Sequence, residues 1–213
     1  MAKILRAIFY LIIGRFIILV ILGIDIKRRE LLPAKGPAII AANHNSHLDI
    51  LLLMSILPWK AALNAYPVAA ADYFLKNKIM SWFSHNIVGI IPIKRKPSAA
   101  DRDILAPCYD KLSDGKIIII FPEGSRGEPE VMGELKSGIA HIVKRMPEVN
   151  VVPVFIRGLG KALPKGEALL VPLICKVYVG ESISAISDKV KLMEALKNSF
   201  EALSHEEKHS DFK

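Results

Sequence analysis

The chain has 213 residues, which gives room for one domain with a sizeable core, and with 52% hydrophobic residues and a mean hydropathy of +0.34 it is unusually apolar for a soluble protein. Its formal net charge of +8 and pI near 9.5 favour anionic partners such as phospholipid headgroups and phosphorylated small molecules. Aromatic residues make up only 7% and no basic cluster is interleaved with them, which excludes the stacking surface of a single-strand binder, so no nucleic-acid partner is expected.

The first predicted element is an apolar segment over residues 4–24 that is interrupted only by Arg6, Gly14 and Arg15. As one helix it is long enough to span the ~30 Å hydrocarbon core of a membrane. Arg15 would then lie near mid-bilayer, at roughly 2.5 to 3.5 kcal/mol on insertion scales. Basic residues also flank both ends of the segment, and the positive-inside rule would place both ends on the same side.

Two short helices that meet at Gly14 and Arg15 and lie in one leaflet explain this pattern better. We therefore predict monotopic membrane association through residues 4–24, at the cytoplasmic face, in preference to a transmembrane helix. A cleaved signal peptide is the third alternative, but residues 24–26 offer no small-residue cleavage site. The predicted organisation is a membrane-anchoring helical segment over residues 1–28 and a single domain over residues 29–213.

From Pro33 onward, apolar runs of strand length alternate with amphipathic segments of helical periodicity. The candidate strands are residues 37–42, 68–71, 87–93, 116–121, 151–156 and 170–179. The candidate helices are residues 47–57, 72–83, 99–112, 135–145 and 189–203, with a kink or break expected at Pro107. The central runs are continuously apolar, as in strands covered on both faces, which predicts an α/β fold with a mostly parallel sheet covered by helices.

In such sheets, ligands bind where strands end and helices begin. The first strand ends in Asn43 and His44, and Asp49 follows five residues after the histidine. Ser46-x-x-Asp49 has the spacing of a capping box, so one interpretation makes Asp49 a capping acid and His44 a loop residue. Metal binding by His44, His47 and Asp49 is another interpretation, but other features of a zinc helix are missing, so no metal site is predicted.

Two other strand ends carry cations. Residues 121–127 follow the most hydrophobic strand, and their two glycines allow a ligand to approach the backbone closely while Arg126 offers a planar fork suited to phosphate. Residues 89–95 end in Lys94 and Arg95. The structural alternatives are a glycine-containing turn with a solvated arginine and a pair of solvated cations.

Together these segments resemble the sequence blocks of the glycerolipid acyltransferase family, the 1-acylglycerol-3-phosphate acyltransferases and their relatives. The His-x-x-x-x-Asp block matches residues 44–49 and is preceded by the usual asparagine, Asn43. The Gly-x-x-Pro-Ile-x-Arg block matches residues 89–95, Phe-Pro-Glu-Gly-Thr/Ser-Arg matches residues 121–126, and Val-Pro-Val matches residues 152–154. The four blocks occur in the family's order, and the resemblance extends from the apolar N-terminus to about residue 180.

The resemblance implies an O-acyltransferase whose catalytic domain is the region 29–213. His44 would be the general base that removes a proton from the acceptor hydroxyl, so that this oxygen attacks a fatty acyl thioester of coenzyme A or acyl carrier protein. Asp49 would hold the imidazole tautomer and stabilise the imidazolium. No acyl-enzyme and no cofactor are expected, and activity should fall at acidic pH as His44 protonates.

The resemblance also implies a phosphate site in which Arg126 binds the acceptor's phosphate with help from Arg95 or Lys94, while Glu123 and Gly124 shape the loop. The predicted substrate-binding residues are Asn43, Lys94, Arg95, Glu123, Gly124, Ser125 and Arg126. The implied partners are a phospholipid membrane, a lysophospholipid acceptor and the acyl thioester.

Two departures from the family pattern bear on the acceptor. Lys94 stands where many members carry aspartate. Members that act on lysophosphatidic acid often have a lysine in an Ala-Lys-x-Glu-Leu stretch after the second strand, whereas residues 68–74 contain none. The acceptor expected from the resemblance is 1-acylglycerol-3-phosphate, giving phosphatidic acid, with another lysophospholipid or a lyso-aminolipid as the alternative.

Two other functional classes are open to the same residues. A serine hydrolase or thioesterase would use Ser125 with His44 and Asp49, but the sequence around Ser125 lacks the Gly-x-Ser-x-Gly elbow. A non-catalytic membrane-binding protein would need only the N-terminal segment and the positive charge, which leaves the placement of His44, Asp49 and Arg126 at strand ends unexplained.

Overall fold

Seven strands form one sheet in the computed structural model, which describes residues 2–74, 77–94, 103–127, 131–162, 171, 173–184, 186 and 188–206. The strands are β1 (Ile24–Lys27), β2 (Ala38–Ala42), β3 (Ala65–Ala70), β4 (Ile91–Ile93), β5 (Ile117–Ile120), β6 (Asn150–Arg157) and β7 (Cys175–Val179). They lie in the order β1-β7-β6-β2-β5-β3-β4, and all neighbours are parallel except β6 and β7. The predicted α/β fold with a mostly parallel sheet is confirmed.

Helices cover both faces of the sheet. The N-terminal helix consists of α1 (Ala2–Ile8) and the π-helical stretches Phe9–Gly14 and Phe16–Ile21, which continue it. The other helices of the described ranges are α2 (Asp49–Ile56), α3 (Trp59–Leu63), α4 (Ala71–Phe74), α5 (Lys78–Phe83), α6 (Ala106–Ser113), α7 (Gly138–Arg145), α8 (Leu159–Ala162) and α9 (Lys189–Glu206). A π-helical stretch, Ser84–Val88, follows α5, and a 3-10 turn spans Arg29–Leu31.

Two apolar clusters lie on opposite faces of the sheet, because successive side chains of a strand point to opposite faces. On one face, Ile117 and Ile119 of β5 belong to the cluster that includes the buried side of the N-terminal helix and α2. On the other face, Ile118 and Ile120 belong to the cluster built with α6, α7 and α9. The carboxyl ends of β2 and β5 lie side by side between these two layers.

The N-terminal helix runs through Gly14 and Arg15 without a break, so the predicted division into two short helices was wrong. Arg15 has helical dihedral angles, φ −63° and ψ −40°. A Cβ at Gly14 would lie 2.9 Å from Leu51 Cδ1 and 3.0 Å from Ser55 Oγ. The glycine is therefore there for close packing against α2 and not for a bend.

The same helix lies along the domain, held by its polar side chains. The Arg6 guanidinium donates to the carbonyl of Ala65, and the Tyr10 hydroxyl donates to the carbonyl of Val88 at 3.0 Å. Arg15 donates to two carbonyls at the end of α2, those of Ser55 and Leu57, both at 3.2 Å. Within the described residues, this is the one helix that is long and apolar enough to cross a membrane by length and composition.

The structure differs from two further predictions, those for the strand β4 and for the helix before it. The predicted strand over residues 87–93 is shortened to β4, because Ser84–Val88 is π-helical and ends at Gly89, whose φ of +73° suits glycine. The predicted helix over residues 72–83 is divided into α4 and α5, and residues 75 and 76 lie outside the described residues.

The sequence predicted a kink or break at Pro107. The structure shows none, because Pro107 lies in the first turn of α6. The missing N–H of proline has no helical partner at that position in any case. Residues 99–102 of the predicted helix lie outside the described residues. The edge strand β1 and the short helices α3 and α8 were not predicted, and β1 lies within the segment 1–28 that was assigned to the anchor.

Candidate active site

The loops that follow β2 and β5 form one unit at the carboxyl edge of the sheet. The backbone N–H of His44 donates to Glu123 Oε1 at 2.8 Å, and the carbonyl of His44 accepts from the N–H of Gly127 at 3.1 Å. The other carboxylate oxygen of Glu123 accepts from the N–H of Gly133 at 2.8 Å. The main chain of the histidine is thus fixed on both sides by the neighbouring loop.

His44 and Asp49 form a hydrogen-bonded pair, as their spacing predicted. His44 Nδ1 lies 2.9 Å from Asp49 Oδ2, and the same oxygen accepts from the N–H groups of Asn45 at 2.7 Å and Ser46 at 2.9 Å. The Asp49 side chain is fully buried, whereas that of His44 is 18% exposed. When Nδ1–H donates a hydrogen bond to the Asp49 carboxylate, Nε2 is the basic nitrogen of the imidazole.

The imidazole is also held by stacking. Its ring lies on the ring of Phe121, with 4.1 Å between centroids and 21° between planes. Two contacts of different kinds therefore fix the ring, a hydrogen bond at its edge and an aromatic face beneath it.

The dyad contact is present, but only half of the predicted capping box is, because Leu48 is the N-cap residue of α2 and no side chain of the described residues caps its start. The carboxylate of Asp49 accepts from the N–H of Ser46, which is one half of a capping box, and α2 begins at Asp49. The Ser46 hydroxyl accepts from the N–H of Leu48 at 3.3 Å. Asp49 is the first residue of the helix, and its Oδ2 is bonded both to the N–H of Ser46 and to the imidazole of His44.

Asn43 and Glu123, which the sequence placed among the substrate-binding residues, both form hydrogen bonds to backbone groups of neighbouring segments. The Asn43 amide is buried and pairs with the backbone of Ile156, donating to its carbonyl at 2.8 Å and accepting from its N–H at 2.6 Å. Glu123 is 5% exposed, and each of its carboxylate oxygens accepts from a backbone N–H, those of His44 and Gly133. Asn43 therefore ties the end of β2 to β6, and Glu123 ties the loop after β5 to His44.

A cavity of about 930 Å³ opens beside the imidazole. It passes over the carboxyl edge of the sheet, because its walls include Tyr10 and Leu51 from one apolar layer and Cys108 and Ile142 from the other. Most of its walls are apolar. It is large enough for a lipid-sized ligand and has His44 in its wall.

Cationic side chains line the same cavity. Lys94 and Arg126 were predicted there and lie in its wall, together with Gly124 and Ser125. Arg95 lies outside the described residues. Within the described part of the chain, Arg126 makes no hydrogen bond or ion pair. Removal of water by its neighbours and the charge of Arg126 lower the pKa of His47, so that residue adds no positive charge at neutral pH.

Lys136 was missed by the sequence interpretation. It lines the cavity, and its Nζ lies 2.8 Å from the point where a Cβ at Gly124 would be, at a φ of +71°. The predicted helix over residues 135–145 begins only at Gly138, which leaves Lys136 in the loop after β5, where its N–H donates to the carbonyl of Pro122 at 2.8 Å. A helix N-cap signal at Ser137 could have placed it in the loop.

Two alternative chemistries find no support in the geometry. Among the described residues, Ser125 makes no hydrogen bond to His44, as a nucleophile activated by that base would. The described residues also contain no group of three or more histidine, cysteine, aspartate or glutamate side chains placed to hold a metal. The imidazole is left facing the cavity, where the hydroxyl of a bound ligand would be its partner.

A family model described as Acyltransferase matches residues 23–157. The chain is 31% identical over 144 residues to a chloroplastic 1-acyl-sn-glycerol-3-phosphate acyltransferase of Arabidopsis thaliana, covering 67% of this chain and 38% of that protein. It is 23% identical over 181 residues to the 1-acyl-sn-glycerol-3-phosphate acyltransferase alpha of Homo sapiens, covering 79% and 61%. The chain thus spans less than two thirds of the length of these relatives.

A solved structure is similar over most of the fold. The crystal structure of the 1-acyl-sn-glycerophosphate (LPA) acyltransferase PlsC from Thermotoga maritima matches with a TM-score of 0.69 and 21% sequence identity, covering 89% of this chain and 73% of that one. At this identity the likeness concerns the architecture.

Proposed function

Because this chain belongs to the acyltransferase family, we propose that it transfers a fatty acyl group from an acyl thioester to the free hydroxyl of a lysophospholipid. The acceptor that we propose is 1-acylglycerol-3-phosphate, which gives phosphatidic acid. The observation that carries the proposal is the 2.9 Å hydrogen bond between His44 and Asp49 beside a cavity that is apolar over most of its wall and cationic at Arg126 and Lys136. The names of the relatives support the choice of acceptor.

In the proposed reaction, Nε2 of His44 takes the proton of the acceptor hydroxyl while its oxygen attacks the thioester carbonyl. The tetrahedral intermediate then expels the thiolate, and the imidazolium returns the proton to the sulfur. Buried Asp49 stabilises the imidazolium and keeps Nδ1 protonated. The acceptor oxygen acts directly as the nucleophile, so no residue of the chain is acylated.

The phosphate of the acceptor would bind at the cationic part of the cavity. Arg126 can offer two parallel N–H donors to a phosphate, and Lys136 adds a point charge beside the glycine that leaves room for it. Lys94 lies in the same wall, and we keep Arg95 in the proposed site. Lys136 would also supply the positive charge that residues 68–74 lack.

We propose that the chain is monotopic and lies on the cytoplasmic face of a membrane. Arg6 and Arg15 use their N–H groups on carbonyls of the domain, so the N-terminal helix rests on the protein while its outer side stays apolar. The exposed apolar residues of that side are Ile4, Ile8, Ile12, Ile13, Phe16, Leu19, Val20 and Ile21. The acyl donor, coenzyme A or acyl carrier protein thioester, would reach the site from water.

The experiment that tests this function is transfer from one long-chain acyl-coenzyme A to a panel of acceptors by the purified chain. We expect His44→Ala to lower kcat/KM by roughly 10³-fold or more, and Asp49→Asn by a similar order, because the base or its tautomer is lost. Ser125→Ala is the matched control and should keep most of the activity.

Three results would reject parts of the proposal. Loss of transfer with Ser125→Ala and accumulation of an acyl-enzyme would indicate a serine hydrolase. Unchanged activity in His44→Ala would remove the dyad from the mechanism. Transfer to a phosphate-free lyso-aminolipid, with none to 1-acylglycerol-3-phosphate, would keep the reaction and change the acceptor.

A further inference from the structure

Helix α5 has no buried residue and presents an apolar surface to the outside. Its exposed fractions are 83% for Ile79, 54% for Trp82, 39% for Met80 and 37% for Phe83. The helix is nevertheless well formed at its start, where the Asn77 side chain accepts a hydrogen bond from the N–H of Met80 at 2.7 Å. An ordered helix that exposes large apolar side chains marks an interaction surface.

This surface is continuous with the apolar side of the N-terminal helix. The ring of Phe83 meets the ring of Phe9 edge to face, with 5.5 Å between centroids and 88° between planes. The hydroxyl of Tyr10 on the N-terminal helix donates to the carbonyl of Val88 in the π-helical stretch that follows α5. The two helices are therefore joined, so the two apolar surfaces adjoin and can enter one leaflet together.

The charges and the aromatic residue fit a lipid surface. Lys78 begins α5 and is exposed, and His85 follows the helix within one turn. Trp82, between them, has the amphipathic ring that is enriched at the depth of lipid headgroups. A short apolar helix that begins with an exposed lysine favours a leaflet with anionic headgroups over a protein partner, since the charge of the whole chain, +8, acts in the same direction.

Three residues of this surface also line the cavity: Phe9, Met80 and Phe83. We propose that α5 is a second membrane-inserting element and that the end of the cavity between α5 and the N-terminal helix is the entrance through which a lipid reaches His44 from the leaflet. The occupant of the surface is a phospholipid leaflet that contains anionic headgroups. The entrance rests on the proposed function, whereas insertion of α5 does not.

The two tryptophans of the chain make insertion directly measurable. Trp59→Phe leaves Trp82 as the sole tryptophan of an otherwise complete chain. On vesicles of phosphatidylcholine and phosphatidylglycerol, we expect its emission to shift to shorter wavelength, and phosphatidylcholine brominated in the acyl chains should quench it. Emission that stays at its aqueous wavelength and resists the brominated lipid would overturn the proposal.

A binding measurement tests the energetic contribution. Ile79→Ser combined with Trp82→Ser should weaken partition onto the same vesicles by roughly tenfold or more, because two apolar side chains no longer leave water. Both residues are exposed, so the fold should survive, which circular dichroism checks. Val190→Ser is the matched control, since Val190 is 75% exposed on α9, which packs on the other face of the sheet.

The entrance is tested by kinetics. The double variant should lose activity on a long-chain acceptor held in vesicles but keep it on a water-soluble short-chain acceptor. Equal activity of the double variant on both acceptors would reject the entrance. Unchanged partition of the double variant onto vesicles would reject the insertion of α5. Insertion of Trp82 in a chain without any transferase activity would reject the proposed function and support the membrane role of α5.

Discussion

The cations of the N-terminal helix and those of the cavity use their donors in opposite ways. Arg6 is 6% exposed, donates to the carbonyl of Ala65 and lies over the ring of Tyr66, 4.5 Å from its centroid. Arg15 donates to the carbonyls of Ser55 and Leu57. Arg126 and Lys136 line the cavity, and within the described residues neither side chain has a hydrogen-bonded partner.

This difference separates cations that hold the fold from cations that are available to a ligand. A buried charge is costly unless carbonyl dipoles or aromatic faces replace its water, and Arg6 has the carbonyl of Ala65 and the ring of Tyr66 for this, although its Nε has no hydrogen-bond partner among the described residues. Arg126 and Lys136 lie at the cavity wall, where a phosphate could bind them without breaking a hydrogen bond to any of the described residues. The sequence around a cation does not tell the two kinds apart, since both occur within apolar or glycine-rich segments.

The largest effect that tests this comparison is expected for Arg126→Ala. The variant should raise KM for a phosphate-bearing acceptor by roughly 10- to 100-fold, which corresponds to one charge-assisted contact of about 1.5 to 3 kcal/mol. The free energy of unfolding should change by less than about 0.5 kcal/mol, because the Arg126 side chain has no hydrogen-bonded partner among the described residues. Steady-state kinetics and urea unfolding measure the two quantities.

Lys136→Met and Lys197→Met complete this test. Lys136 provides a point charge without the guanidinium fork, so KM should rise by roughly tenfold. Lys197 lies on the exposed side of α9, 3.8 Å from Glu201, and its substitution should leave KM unchanged. An equal rise in KM for a phosphate-free acceptor would show that Arg126 and Lys136 do not bind the phosphate.

Arg6→Ala is expected to act in the opposite sense, on stability and not on KM. Removal of the guanidinium leaves the carbonyl of Ala65 unpaired and opens space beside Tyr66, at a cost of about 2 kcal/mol in the free energy of unfolding. The folded enzyme should keep its KM for the acceptor. A large rise in KM with unchanged stability would place Arg6 among the ligand-binding cations.

Gly89→Ala gives a coupled control for Arg6. A Cβ at Gly89 would lie 2.8 Å from the Arg6 guanidinium, and the φ of +73° adds strain of about 1 kcal/mol for any other residue. In the double variant with Arg6→Ala the clash is gone and only the strain is left. The two stability losses should therefore be less than additive, and full additivity would show that the two residues are independent.

Much of the fold was predictable from local pattern, because the relevant physics is local. The four isoleucines of β5 form a continuous apolar run that only a doubly covered strand explains, and all four are buried. The contact between His44 and Asp49 was predictable for the same reason, since five residues span a turn and the first turn of a helix. Spacing alone brings those two side chains together.

The rest depends on contacts between distant parts of the chain. Asn43 precedes His44 and resembles a site residue, yet its amide pairs with Ile156, 113 residues away in the sequence. Gly14 has the local signature of a helix break, but the helix continues through it. The close approach of Leu51 explains why a glycine stands at this position. Lys136 is brought to the cavity by the path of the loop after β5. Each of these roles requires the position of a partner that the local sequence does not contain.

Arg28 is a third kind of cation, because it is paired with a carboxylate. We expect its pairing to have the smallest effect on the free energy of unfolding. Its guanidinium donates to both oxygens of Glu206 at 2.7 Å, with side chains that are 33% and 41% exposed, and this hydrogen bond lowers the pKa of Glu206. Water screens an exposed pair, so Glu206→Gln should cost only about 0.5 to 1 kcal/mol of unfolding free energy at neutral pH.

Because the folded-state pKa of Glu206 is lowered, the difference in unfolding free energy between the two proteins should persist above the unfolded-state pKa of glutamate, near pH 4.3, and vanish as pH falls through the folded-state value. Urea unfolding across that range measures it, with acyl transfer as the control that should not change. A difference that grew on acidification would show that the pairing with Arg28 does not lower the pKa of Glu206.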